Sequence, residues 1–104
     1  MNKKIANLDL SPVNARQIVS EIAKDSSKVY LTDHAEERAV ERKITRTQII
    51  RCLRFGRIIE NPYRDLNHDW VMTFETISAG DPITVVASIR RNQKGEMILV
   101  ITTY

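Results

Sequence analysis

Three side chains in the stretch LTDHAEERAVERKITRTQ, residues 31 to 48, recur at intervals of four: His34, Arg38 and Arg42. Histidine is the common proton carrier near neutral pH. Arginine is the common phosphate clamp, because its planar fork makes paired hydrogen bonds. A neutral imidazole beside two guanidinium groups suits removal of a proton from a hydroxyl while the arginines hold an anionic phosphate. With a ribose 2'-hydroxyl as the nucleophile, this is the chemistry of RNA cleavage without a metal.

Two plainer readings compete with it. A salt-bridged surface helix would need opposite charges at i,i+3 or i,i+4. Here Glu37 and Glu41 repeat one sign at four, Arg38 and Arg42 repeat the other, and only Arg38 with Glu41 is favourably spaced. His34 alone could instead close a hydrogen bond in the core. On a helix Arg38 and Arg42 fall about 40° and about 80° round from His34, just short of Ala35 and Ala39 at about 100° and about 140°. The stripe therefore borders the small apolar positions that would face a sheet, where a cleft can form.

The elements that must position these groups follow from caps and periodicity. Ser11 and Pro12 read as an N-cap and first position, with VNARQIVSEIAK continuing as a helix to about Asp25 and Ile18, Val19 and Ile22 on one side. KVYL is a short extended piece. Thr32 caps a second helix with Asp33, Glu36 and Glu37 in its first turn, KIT breaks it, and Thr45 with Gln48 has capping-box spacing for a third helix, Arg46 to Phe55, stopped by Gly56 as the usual C-terminal glycine. The period then changes. RIIEN reads as a strand closed by Pro62, and HDWVMTFETI as a half-buried strand with Trp70, Met72 and Phe74 on one face. After a turn at AGD, PITVVASIRR and EMILVITTY read as antiparallel neighbours joined by NQKG. The order predicts an α+β fold, N-terminal helices packed on an antiparallel sheet of about four strands, in one domain over residues 1–104.

Composition narrows the classes. The chain has 104 residues, 42% of them apolar, enough for one core. Its single cysteine, Cys52, sits in the apolar run QIIRCLRF and reads as a buried thiol in a reducing compartment. MNKKIANLDL begins like a signal peptide but has no long apolar stretch behind it, so a soluble, cytoplasmic protein without membrane contact is expected. The net charge is only +3, but residues 38 to 57 hold seven basic groups and one acid. That band suits a phosphate-binding surface, and Arg46, Arg51, Arg54 and Arg57 are its candidate RNA contacts beyond the stripe. The bland alternative is a solvated helix face. Arg90, at a strand end, is a further candidate. In the closing VITTY, Thr102 and Tyr104 share a strand face and could touch a phosphate or a base. His34, His68 and Cys52 have no metal-ligand spacing, and no glycine-rich phosphate loop or G-x-S-x-G occurs, so no metal or cofactor is expected.

The run TDHAEERAVERKITRTQIIRCLRFGRIIEN with the closing VITTY resembles the domain-of-unknown-function family 4258. The shared pattern is a histidine, arginines at four and eight, an isoleucine, a helix ending in glycine, and a terminal threonine, any residue, tyrosine. These are His34, Arg38, Arg42, Ile44, Gly56, Thr102 and Tyr104. The likeness covers residues 29–104 and leaves the first helix, 1–28, outside it. Lys43 stands where a glycine is common in the family. That family is in turn similar to the RelE, barnase, EndoU and colicin group of toxin ribonucleases. The resemblance implies a RelE-like fold, RNA as substrate, His34, Arg38, Arg42, Thr102 and Tyr104 as the catalytic group, and a cognate antitoxin or immunity protein as partner. The chain is thus expected to be a metal-independent endoribonuclease toxin, or alternatively a non-catalytic RNA- or protein-binding module that keeps the basic cleft.

Overall fold

The computed structural model describes residues 10–104; residues 1–9, on which the expectation about a leader segment falls, lie outside the described residues. Local signals set the helices. Ser11 caps α1 (Pro12–Ala23), its hydroxyl accepting from the Asn14 amide at 3.1 Å, and Pro12 fills a position where no amide is needed. Thr32 caps α2 (Asp33–Arg42) with Asp33 and Glu36 in the first turn, and α3 (Arg46–Phe55) opens on a complete Thr45–Gln48 capping box.

The two helix ends differ from expectation. Lys43, closing α2, is left-handed at φ 58° and ψ 39°, while Gly56, closing α3, is extended at φ −72° and ψ 169°. The position that wants glycine conformationally is therefore Lys43. Gly56 is glycine for space: a Cβ there would collide with the Cys52 carbonyl oxygen and stand 2.9 Å from that of Glu75. A left-handed L-residue costs about 1 kcal/mol or more. Lys43→Gly is expected to raise the melting temperature by about 4 °C, measured by thermal denaturation; an unchanged or lower value would mean that Lys43 makes contacts that offset the strain.

Five strands form one mixed sheet in the order β1-β5-β4-β3-β2: β1 (Val29–Leu31), β2 (Arg57–Arg64), β3 (Trp70–Ser78), β4 (Asp81–Asn92) and β5 (Gly95–Thr103). The expected antiparallel meander is present as β2 to β5. The KVYL piece adds the fifth strand, parallel to β5, with Val29 opposite Ile98 and Leu31 opposite Val100. β2 runs through Pro62 instead of ending there. It is an edge strand with register shifts on both sides of Glu60, so a missing amide is tolerated. Ala79 and Gly80, at φ 52° and 87°, make the tight β3–β4 turn, and both positive values suit the twist of a two-residue hairpin.

Trp70, Met72 and Phe74 join Val85, Ala87, Ile98 and Val100 in a core shared with Val19 of α1, Ala35 and Ala39 of α2, and Ile49 and Leu53 of α3. Three helices thus pack on the sheet, an α+β fold. β3 is not half-buried as its alternation predicts, because Val71 and Thr73 on its other face are covered too; the Thr73 hydroxyl donates to Glu60 of β2 at 2.9 Å. α1 also caps α3. Arg16 Nε donates to the Gly56 carbonyl at 2.7 Å and Ser20 Oγ to the Arg54 carbonyl at 2.8 Å, satisfying orphaned carbonyls where the helix dipole is negative.

Cys52 is fully buried, as the apolar run predicts, with Sγ 3.8 Å from the Ile83 carbonyl oxygen. Burial, aided by the Glu75 carboxylate, pushes its thiol up from 9.0 to about 12. The folded state holds this proton after the unfolded chain has lost it, so the thiol's contribution to stability is intact below pH 9.0 and falls away from there to about 12. Native Cys52 is expected to resist an aromatic disulfide reagent at pH 8 and to react at the rate of global unfolding. Labelling as fast as a free thiol would contradict the burial.

Candidate functional site

α2 starts directly from the sheet. The Thr32 amide donates to the Val100 carbonyl at 3.0 Å; its hydroxyl donates to the Ile101 carbonyl at 2.9 Å and accepts from the Ala35 amide at 3.0 Å. From there α2 packs against β5, where a strand would otherwise continue β1. Ala35 and Ala39 are buried. His34 is exposed, and its imidazole makes no hydrogen bond or ion pair among the described residues. This corrects the reading of His34 as a core hydrogen-bonding group. Arg38 pairs with Glu41 at 3.5 Å, the one favourable pair the spacing allows, and Arg42 makes no ion pair among the described residues. An exposed i,i+3 pair of this kind contributes a few tenths of a kcal/mol.

Arg42 and Tyr104 come together. They line a cleft of about 270 Å³ with Lys43, Ile44, Gln48 and Asp81, among others. Thr103 turns inward, fully buried, and its hydroxyl donates to the Thr84 carbonyl at 2.8 Å, so its neighbours Thr102 and Tyr104 share the opposite side, as the alternation predicts. Tyr104 is tied in place by paired backbone hydrogen bonds with Thr84. His34 is not among the residues lining the cleft; at 1.5 Å per residue it lies about 12 Å from Arg42 along the helix.

The basic band does not become one surface. Arg46 spends its guanidinium on the carbonyls of Ser26 at 2.8 Å and Val29 at 2.7 Å, fastening β1 to α3. Arg57 pairs with Glu75 at 2.9 Å. Arg54 is half-buried, stacks its guanidinium on the Phe55 ring at 4.7 Å, and has a buried Nε without a hydrogen-bond partner among the described residues. Arg90 is held by Asp69 at 3.1 Å, Asp65 at 3.9 Å and Ser88 Oγ at 3.0 Å. It is also six residues along β4 from Thr84, the partner of Tyr104, or about 20 Å at strand rise. Arg90 is not among the residues lining the Arg42 cleft. Arg51 alone of the five has a guanidinium with no hydrogen bond, ion pair or ring contact among the described residues, and it is exposed.

Lys43, Gln48 and Asp81 belong to the cleft but were not candidates from sequence, because only the β3–β4 hairpin folding beside α3 brings them to Tyr104. The Ala79-Gly80 turn is the sole local sign of that approach. Among the described residues no group of three or more His, Cys, Asp or Glu side chains could hold a metal ion, and no helix is long and apolar enough to cross a membrane.

No curated protein and no solved structure matches the chain. The family model described as Domain of unknown function (DUF4258) matches residues 31–104, well over half of it, including His34, both stripe arginines and the closing Thr102 and Tyr104. α1, outside the match, packs into the same core. The chain, with its exposed histidine and arginine stripe leading into the Tyr104 cleft, belongs to the DUF4258 family.

Proposed function

We propose that this protein binds RNA and cleaves it without a metal, as the toxin of a toxin-antitoxin or toxin-immunity pair. One observation carries the reading: among the described residues the α2 stripe presents an exposed, unpartnered imidazole and two guanidinium groups whose one ion pair is that of Arg38 with the exposed Glu41. A surface helix shaped for stability alone would alternate its charges. In the proposed reaction His34 takes the proton of a ribose 2'-hydroxyl, whose oxygen bonds to the adjoining phosphorus as the P–O5' bond breaks and the 5'-oxygen leaves with a proton from water; Arg38 holds the phosphate under attack, and Arg42 with Tyr104 and Thr102 supports the adjoining part of the strand. Helices layered on a sheet are in keeping with the RelE-like toxin ribonucleases, whose neutralising partners are proteins. Fold analogy by itself does not make an activity. A second reading, an RNA- or protein-binding module without chemistry, is favoured by the separation of His34 from the Arg42–Tyr104 cleft.

Incubation of the purified protein with total RNA in EDTA separates the two. Cleavage is expected to persist and to leave 2',3'-cyclic phosphate ends, with DNA intact. Loss of cutting on chelation, or cutting of 2'-deoxy strands, would remove the 2'-hydroxyl mechanism; binding without cutting would support the second reading.

A further inference from the structure

The Arg42–Tyr104 cleft has a neighbour. A second depression of about 270 Å³, lined by Arg51, Phe55, Thr76 and Ile77, shares Gln48, Ser78 and Ala79 with it. The two are lobes of one groove between α3 and the β3–β4 hairpin, and α3 from Thr45 to Phe55 gives it a length of about 15 Å. We infer that this groove is a track for single-stranded RNA, with Tyr104 and Phe55 as base-stacking platforms at its ends and Arg42, Lys43 and Arg51 taking the phosphates. The inference rests on the RNA reading of the α2 stripe and extends it to a substrate form.

Four features support it. Arg42, Lys43 and Arg51 make no ion pair among the described residues, and Asp81 is the one acid lining either lobe. Tyr104 is 48% exposed and Phe55 57%, with Arg54 stacked against the Phe55 ring. A cationic groove with accessible rings is the arrangement that holds single strands, since every base has a face to stack and duplex bases do not. The groove is also elongated, two lobes of about 270 Å³ each lying side by side along α3, a shape that suits successive units of a polymer. Finally, the floor is internally satisfied: Gln48 Nε2 donates to Ser78 Oγ at 2.9 Å and its Oε1 accepts from the Thr45 amide at 2.8 Å. Few groups are left to read base edges, so weak sequence preference is expected, strongest beside Asp81.

The test is fluorescence anisotropy of the full chain with a labelled 2'-O-methyl RNA heptamer, which cannot be cut by 2'-hydroxyl attack, alone and annealed to its complement. The single strand should bind at least about tenfold more tightly than the duplex. Phe55→Leu and Arg51→Gln should each weaken it about fivefold or more, and Phe55→Tyr should not. Arg51 is exposed on α3, so its variant will fold even if Phe55→Leu is compromised. Equal or tighter duplex binding would overturn the inference. So would wild-type affinity in both Arg51→Gln and Phe55→Leu alongside weakened binding in Arg38→Gln; the RNA reading would then stand on the α2 stripe alone. Binding of hexaglutamate but of neither RNA would overturn both, in favour of an acidic protein partner.

Discussion

Replacing His34 by alanine is expected to lower RNA cleavage about a hundredfold or more while leaving the protein as stable as before or slightly more so. The stability half follows from geometry. A buried histidine that satisfies core groups would cost about 1 to 3 kcal/mol on removal. His34 is exposed and unpartnered among the described residues, so no hydrogen bond is lost. Alanine is also the better helix former, by up to about 0.7 kcal/mol. The activity half follows from the proposed role, since a positioned general base typically contributes about a hundredfold to ten-thousandfold. RNA affinity and its salt slope should change little, because phosphates are neutralised by arginines and not by His34. Melting temperature, cleavage and binding measured on one preparation separate these effects. A variant that cleaves at the wild-type rate per folded molecule would end the catalytic assignment.

The parts of the fold legible in the sequence are those decided within a few residues. Ser11, Thr32 and the Thr45–Gln48 box stop or start helices through contacts three residues away, so pattern and outcome agree. β1 was legible only as an extended piece, because a three-residue strand takes its meaning from a parallel partner nearly seventy residues later, Val29 to Ile98. Pro62 read as a stop because a proline costs a ladder hydrogen bond, a cost that vanishes on an edge strand, and no local pattern marks β2 as an edge.

The site divides in the same way. The α2 stripe is a property of one helix, and the helical spacing reveals it. The arginine band is a property of sequence alone: equal formal charges become a backbone clamp at Arg46, an ion pair at Arg57, a ring-stacked group at Arg54 and, at Arg51, a surface cation unpaired among the described residues. What separates them is which carbonyl, carboxylate or ring the tertiary fold brings within reach, and charge counting has no access to that. The groove from Tyr104 to Phe55 was hidden for the same reason, since its two walls are α3 and a hairpin more than twenty residues further on.

Gly56→Ala is expected to cost about 3 kcal/mol or more, a fall in melting temperature of over about 10 °C, although alanine is ordinarily favoured over glycine in stability. At φ −72° and ψ 169° the backbone suits any residue, and on that ground alone alanine would gain about 0.4 to 1 kcal/mol from a less free unfolded chain. Space reverses the sign. The new methyl would meet the Cys52 carbonyl oxygen, stand 2.9 Å from the Glu75 carbonyl oxygen and 3.2 Å from Cys52 Sγ. Two of these three are backbone atoms, one in α3 and one in β3, so no side chain can swing away to relieve the clash. Gly56 cannot retreat either, because its amide donates to Cys52 at 2.8 Å and its carbonyl accepts from Arg16 at 2.7 Å. Relief requires α3 to lift from β3, which would strain the Arg16 bond as well. The effects of Gly56→Ala and Arg16→Gln should therefore be less than additive, because the first already weakens what the second removes. Thermal denaturation of the two single variants and the double variant decides it: a Gly56→Ala melting temperature within about 2 °C of wild type would show that α3 and β3 are not held this closely, and full additivity would detach Arg16 from the constraint.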